Sequence, residues 1–154
     1  LRDFPCDVLF FHRDAEKEPR QKRIEEIAQI LRGVSVEYRV PLVPVRMTEA
    51  WLLIDVSAIR TAAGNPNGSV KIILPHISKL ESLIDPKEAL REQLLKASEK
   101  KGRKLQQFRR DISSRIYRVA DLIRDFTPLR RLKAFSAFEN ETRKTISRLL
   151  DMGK

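Results

Sequence analysis

Residues 40–55 read VPLVPVRMTEAWLLID. The run up to Arg46 is apolar and rich in valine, which predicts a buried strand. A two-residue turn follows, and Thr48 opens a helix with Glu49 in its first turn. Upstream, residues 9–16, LFFHRDAE, have the same form, an apolar run that ends in charge. Two apolar strands that each deliver carboxylates at their carboxyl ends organise the reading of the whole chain. In open α/β sheets, the binding crevice lies beyond those ends.

Working outward, residues 6–12, CDVLFFH, form a continuous apolar run of the kind buried on both sheet faces. After Pro19 a helix is expected over about 20–32, where Ile24, Ile27, Ala28 and Leu31 keep the spacing of one buried stripe. Gly33 stops it. Residues 35–45 make the second strand. Pro41 and Pro44 withhold two backbone donors, so this strand lies at an edge or pairs over part of its length. Strand, helix and strand in this order are a βαβ unit, and hence a parallel pair.

Beyond the second strand the pattern turns helical. A helix over about 49–62 is apolar nearly all round, and GNPNGS at 64–69 is a loop. VKIIL at 70–74 fits a short strand or an extended connection. Ser78 with Glu81 reads as a capping box, and Asp85-Pro86 with Glu88 as a second helix start running to about Glu99. A long helix is expected over about 104–125 after the basic break KKGRK, with Leu105, Phe108, Ile112, Ile116, Val119, Ala120 and Ile123 on one face. Thr127-Pro128 begin a further helical turn. Ser136 with Glu139 then reads as the cap of a final helix striped by Phe138, Thr142, Ile146, Leu149 and Leu150. The expected organisation is an α/β core over 1–75 and a helical, basic part over 76–154, packed as one compact unit.

The 154 residues carry a net charge of +10. It is unevenly placed: residues 1–100 hold 16 Lys/Arg against 15 Asp/Glu, and residues 101–154 hold 15 against 6. A basic surface concentrated in the last third points to an anionic partner, nucleic acid first and DNA ahead of RNA. Lys100, Lys101, Arg103, Lys104, Arg109 and Arg110 are the expected contacts. Aromatic residues are few there, so phosphate contact is favoured over base stacking. No apolar run reaches the roughly 20 residues of a membrane-spanning helix, and the first residues lack the zones of a signal peptide. A single cysteine, Cys6, fits a reducing cytoplasm and is expected as a buried structural thiol.

His12, Asp14 and Glu16 alternate as the first strand runs out, so they are expected on one side. Glu49 follows the second strand and is expected to reach the same crevice. Clustered carboxylates of this kind suit Mg2+ or Mn2+, and such an ion activates water against a phosphodiester. Other roles stay open for each residue. Glu49 complements a helix dipole, and His12 suits a backbone carbonyl. Asp55, among apolar neighbours, needs a partner, for which Arg46 is the candidate. His76, beside Pro75, reads as a loop residue. Zinc spacing, GxSxG, Walker and GxGxxG motifs are all absent from the sequence.

LFFHRDAE followed by PVRMTEAWLLID, with Arg46, Glu49, Ala50, Trp51 and Asp55 as the matching residues, resembles an uncharacterised bacterial family related to Toprim domains. RVADLI at 118–123 and DFTPL at 125–129 add to the resemblance. It implies a small parallel α/β core, either without its first strand or with that strand supplied from elsewhere, and Mg2+-dependent cutting of nucleic acid, with ties to antiphage defence and to ATPase partners. Under that resemblance Asp14 and Glu16 stand for the Asp-x-Asp pair, His12, Asp14, Glu16 and Glu49 carry the chemistry, Asp14, Glu16 and Glu49 hold the metal, and Arg46 and Asp55 orient the site. The early-strand glutamate of that family has no counterpart here. A non-catalytic adaptor that binds nucleic acid or docks on an ATPase is the alternative. A structural scaffold, in which the charge serves solubility, is a third.

Overall fold

In the computed structural model, which describes residues 5–16 and 18–152, the chain is α/β and mostly helical, with a two-stranded parallel sheet. Strand β1, Val8–His12, pairs with β2, Tyr38–Leu42, in a register that sets Phe10 opposite Val40. Helix α1, Arg20–Ile30, makes the crossover. The expected βαβ unit is present.

The proline positions explain the ladder's length. Arg13 and Ala15 donate their N–H groups to the carbonyls of Leu42 and Pro44, at 3.1 and 2.8 Å. By the period of two, the even residues of β2 therefore turn their peptide groups toward β1. Pro41, at an odd position, sits where a donor would point away from β1, so it removes no ladder bond. Pro44, at an even position, accepts but cannot donate, and regular pairing stops before it.

The chain divides into two compact units. The first joins the described residues up to Val45 with those from Arg130 on; the second is Arg46–Leu129. These boundaries differ from an expected division at residue 75. The cause is the last helix, α6, Lys133–Met152, which packs on β2. In the first unit, Phe11 and Val43 pack with Ala15, Ile24, Ile27 and Leu31 on the α1 side. Phe10, from the opposite face of β1, meets Phe138 of α6 edge to face, with ring centroids 6.3 Å apart. The sheet is thus covered by one helix on each face.

Two details of these helices depart from the expected stripes. In α1, Ala28 is exposed and Arg23 is buried instead. In α6, Thr145 is buried while Ile146 and Leu150 are exposed. No cap separates Ser136 from what precedes it, because α6 begins at Lys133 and runs through.

In the second unit, the expected helix over 49–62 is two elements. A 3-10 helix, Thr48–Leu52, is followed by α2, Val56–Ala62. Leu53 closes the first, and Asp55 caps the second, its Oδ1 accepting from the Ala58 N–H at 2.9 Å. Residues 70–74 form a connection without strand pairing. A second 3-10 helix, Ile77–Ser82, is capped by His76, whose Nδ1 accepts from the Ser78 N–H, and not by Ser78. Helix α3, Pro86–Ser98, starts as expected, with Asp85 accepting from the Glu88 N–H at 2.8 Å.

The expected long helix is also two, α4, Gly102–Arg110, and α5, Ile112–Leu122. At the break, the Asp111 carbonyl accepts from the Ser114 hydroxyl at 2.7 Å and from the Arg115 N–H at 3.3 Å. A third 3-10 helix, Thr127–Arg131, crosses the boundary between the units. The second unit's core holds Leu53, Ile59, Leu80, Leu90, Leu94, Val119 and Leu129, all fully buried.

The 64–72 connection is tied to the end of α3. Glu99, in the left-handed conformation at φ 52°, accepts from the Val70 N–H at 2.9 Å. That bond first, then one to the Ser69 N–H and the Arg60 charge, hold its carboxyl below the usual range. Asn65 donates to the Ala97 carbonyl at 3.0 Å. A methyl group on Gly68 would meet Asn65 Nδ2, Glu99 Oε1 at 2.6 Å and Arg60 Nη1 at 2.7 Å. Gly68→Ala is therefore expected to destabilise the chain by about 1–3 kcal/mol through overpacking, measured by urea denaturation.

Candidate functional site

The chain leaving β1 is held down by ionic and backbone bonds. Arg23, its side chain 10% exposed, donates from Nη1 to both Glu26 oxygens at 3.0 and 2.8 Å, and from Nε to the Ala15 carbonyl at 3.4 Å. Its Nη2 lies 3.5 Å from Glu16 Oε2. Arg13 Nε reaches the same Glu26 at 3.1 Å. The Arg23 bond, with added attraction from Arg13 and Lys22, holds the Glu26 carboxyl below the usual range. Glu16 itself takes φ 58°, a left-handed conformation that costs a non-glycine residue about 1–2 kcal/mol. The buried Ala15, bonded to Pro44, fixes the turn beside it.

The expected acidic cluster is thus engaged in other ways. His12 Nε2 and Asp14 Oδ1 are 3.0 Å apart. That is the His12–Asp14 proximity the alternation implied, and here each is the other's partner. Glu16 faces Arg23. Glu49 belongs to the second unit, where it lines a hollow of about 90 Å3 with Lys87, Ser113, Ile116 and Tyr117. Among the described residues, no group of three or more His, Cys, Asp or Glu side chains is placed to hold a metal ion.

The other expectations near this site resolve structurally. Asp55 satisfies its carboxylate on the Ala58 backbone, so the pairing with Arg46 is not needed. Cys6 is exposed, contrary to the buried thiol expected of the apolar run it opens. Among the described residues, no helix is long and apolar enough to cross a membrane.

The cations sort into two kinds. In the first unit, Glu139 gathers Arg130, bidentate at 2.7–3.1 Å, and Arg143 at 3.0 Å. These bonds, Arg130's the larger, pull the Glu139 carboxyl down to about 2. In the second unit, residues 100–110 carry six Lys/Arg and no Asp/Glu. Among the described residues, none of the six makes an ion pair. Arg103 and Arg110 line a hollow of about 340 Å3 with Gln106 and Gln107. Lys100 and Lys104 line another, of about 330 Å3, with Gln107, Phe108, Asp111 and Arg115. Gln107 borders both.

Phe108 is buried, and two cations sit over its ring, Lys100 Nζ at 5.5 Å and the Arg115 guanidinium at 5.6 Å from the centroid. Arg115 is fixed further by donating to the Ala62 carbonyl at 3.2 Å. Sequence reasoning named Lys100 and Lys104 but missed Gln107 and Arg115. The available signal was Phe108, the one aromatic within a run of cations.

No protein-family model, curated protein or solved structure matches the chain.

The Glu139 clamp gives a pH prediction. Its carboxyl titrates at about 2 in the fold against an ordinary 4.5. Its contribution is therefore complete above 4.5 and lost as pH falls from 4.5 toward about 2. Melting curves of the native chain and Glu139→Gln are expected to differ at pH 7 and to converge as the pH is lowered to about 2.

Proposed function

We propose that the chain binds nucleic acid through the phosphate backbone, using α4 and the two residues before it, without a metal ion. The observation that carries this reading is the run 100–110, six cations with no acidic residue and no ion pair among the described residues. Cations that no carboxylate neutralises displace the counterions condensed on a nucleic acid's phosphates, and that release drives binding. The glutamines between them offer amide donors to phosphate oxygens.

Anisotropy of labelled duplex DNA and single-stranded RNA across a salt series tests this. Log affinity is expected to fall linearly with log salt, by about 0.9 per neutralised phosphate on a duplex. Combining Arg103→Ala, Lys104→Ala and Arg110→Ala is expected to weaken binding at every sequence and flatten the slope by about 1 per cation removed. Arg143→Ala, whose charge Glu139 already engages, serves as the control and is expected to change neither. Absence of binding to both polymers at low salt would leave the basic run as a solubilising surface.

The Toprim-like, metal-dependent nuclease is the second reading. Its support is the parallel β1–β2 pair, which places His12 at the carboxyl end of β1 and Asp14 just beyond it. Against it stands the Glu16–Arg23 pairing. Supercoiled plasmid incubated with the protein and Mn2+ is expected to stay intact. Nicking that disappears in Asp14→Ala would reinstate the phosphodiesterase.

A further inference from the structure

We propose that β1 pairs antiparallel with β1 of a second copy of this chain, about a two-fold axis at Phe10. The two edges of the sheet are not equivalent. Arg13 and Ala15 donate to β2, so the odd residues of β1 face β2 and the even ones, Val8, Phe10 and His12, turn their N–H and C=O groups outward. Among the described residues, these outward groups of β1 have no backbone partner. The outer edge of β2 instead presents Pro41, which has no donor to give. An open edge with all its donors intact is a template for another strand.

The residues along β1 select a second copy as that strand. Residues 7–13 read DVLFFHR, and reversal about Phe10 sets Asp7 against Arg13, Val8 against His12 and Leu9 against Phe11. Opposite charges meet at both ends, the apolar pairs Leu9–Phe11 and Phe10–Phe10 lie at the centre, and Val8 meets His12 between. Val8–His12, Phe10–Phe10 and His12–Val8 fall on the outward positions, so each of these pairs exchanges backbone hydrogen bonds in both directions. Phe10 is 51% exposed although its ring touches Phe138, and Asp7 is exposed. Phe10 of the second copy covers that remaining surface. Parallel pairing would set Asp7 against Asp7 and Arg13 against Arg13, so the charges also fix direction.

Sedimentation velocity across about 1–200 µM tests the pairing by mass action. The native chain is expected to shift from monomer to dimer over that range. Asp7→Arg alone and Arg13→Asp alone are each expected to sediment as monomers, because like charges then face each other at both ends. Mixed in equal amounts, the two variants are expected to recover the dimer, since each reversed end meets its complement. Arg13 also pairs with Glu26, so folding of Arg13→Asp is verified by circular dichroism. A second readout leaves Arg13 intact: amide exchange at Val8, Phe10 and His12 in the native chain is expected to slow as concentration rises. A chain that stays monomeric throughout, or a dimer indifferent to both reversals, overturns the proposal.

Discussion

A sheet of two parallel strands has no interior strand, and parallel sheets persist when both faces are covered. That constraint shapes the first unit. One cover, α1, comes with the crossover itself. The other has to be brought from elsewhere in the chain, and it comes from the far end, as α6. Val40, with no exposed surface at all, marks how complete that second cover is. The return of α6 makes the unit discontinuous, with residues 46–129 inserted between its parts.

The electrostatics follow the same division. In the first unit, carboxylates and cations are matched at short range: Glu26 and Glu16 on Arg23 and Arg13, Glu139 on Arg130 and Arg143. Such matching fixes loops and helix ends. In the second unit, α4 carries its charge unmatched. The same residue types therefore serve two ends, and position relative to a carboxylate decides which. A surface that stays unmatched is the one that reaches out electrostatically.

Much of the fold was legible in local pattern. LFFH and the VPLVP run announced strands, Gly33 and Asp85-Pro86 announced helix limits, and the order of elements implied the parallel pair. What local pattern did not carry was competition between partners. Asp55 looked like a buried charge needing Arg46, but a backbone N–H three residues on is closer in sequence and satisfied it. Ser136 and Glu139 had the spelling of a capping box, yet Arg130 and Arg143 took the glutamate. The apolar stripe over 104–125 gave no sign of the break between α4 and α5 at Asp111. At the end of β1, alternation brought His12 near Asp14, while the buried Arg23, which no stripe pattern marks, lies against Glu16. Long-range return of α6 leaves no mark within a window of twenty residues.

The discontinuity of the first unit also bears on synthesis. A ribosome working at about 5–20 residues per second needs on the order of 4–17 s to pass from Arg46 to Leu129. Throughout that interval the nascent β1–α1–β2 segment lacks the helix that shields Val40 and lies against Phe10. The inserted unit is emerging complete while its predecessor still waits, so a trigger-type holdase acting on the first strands would have its window set by the length of the insertion.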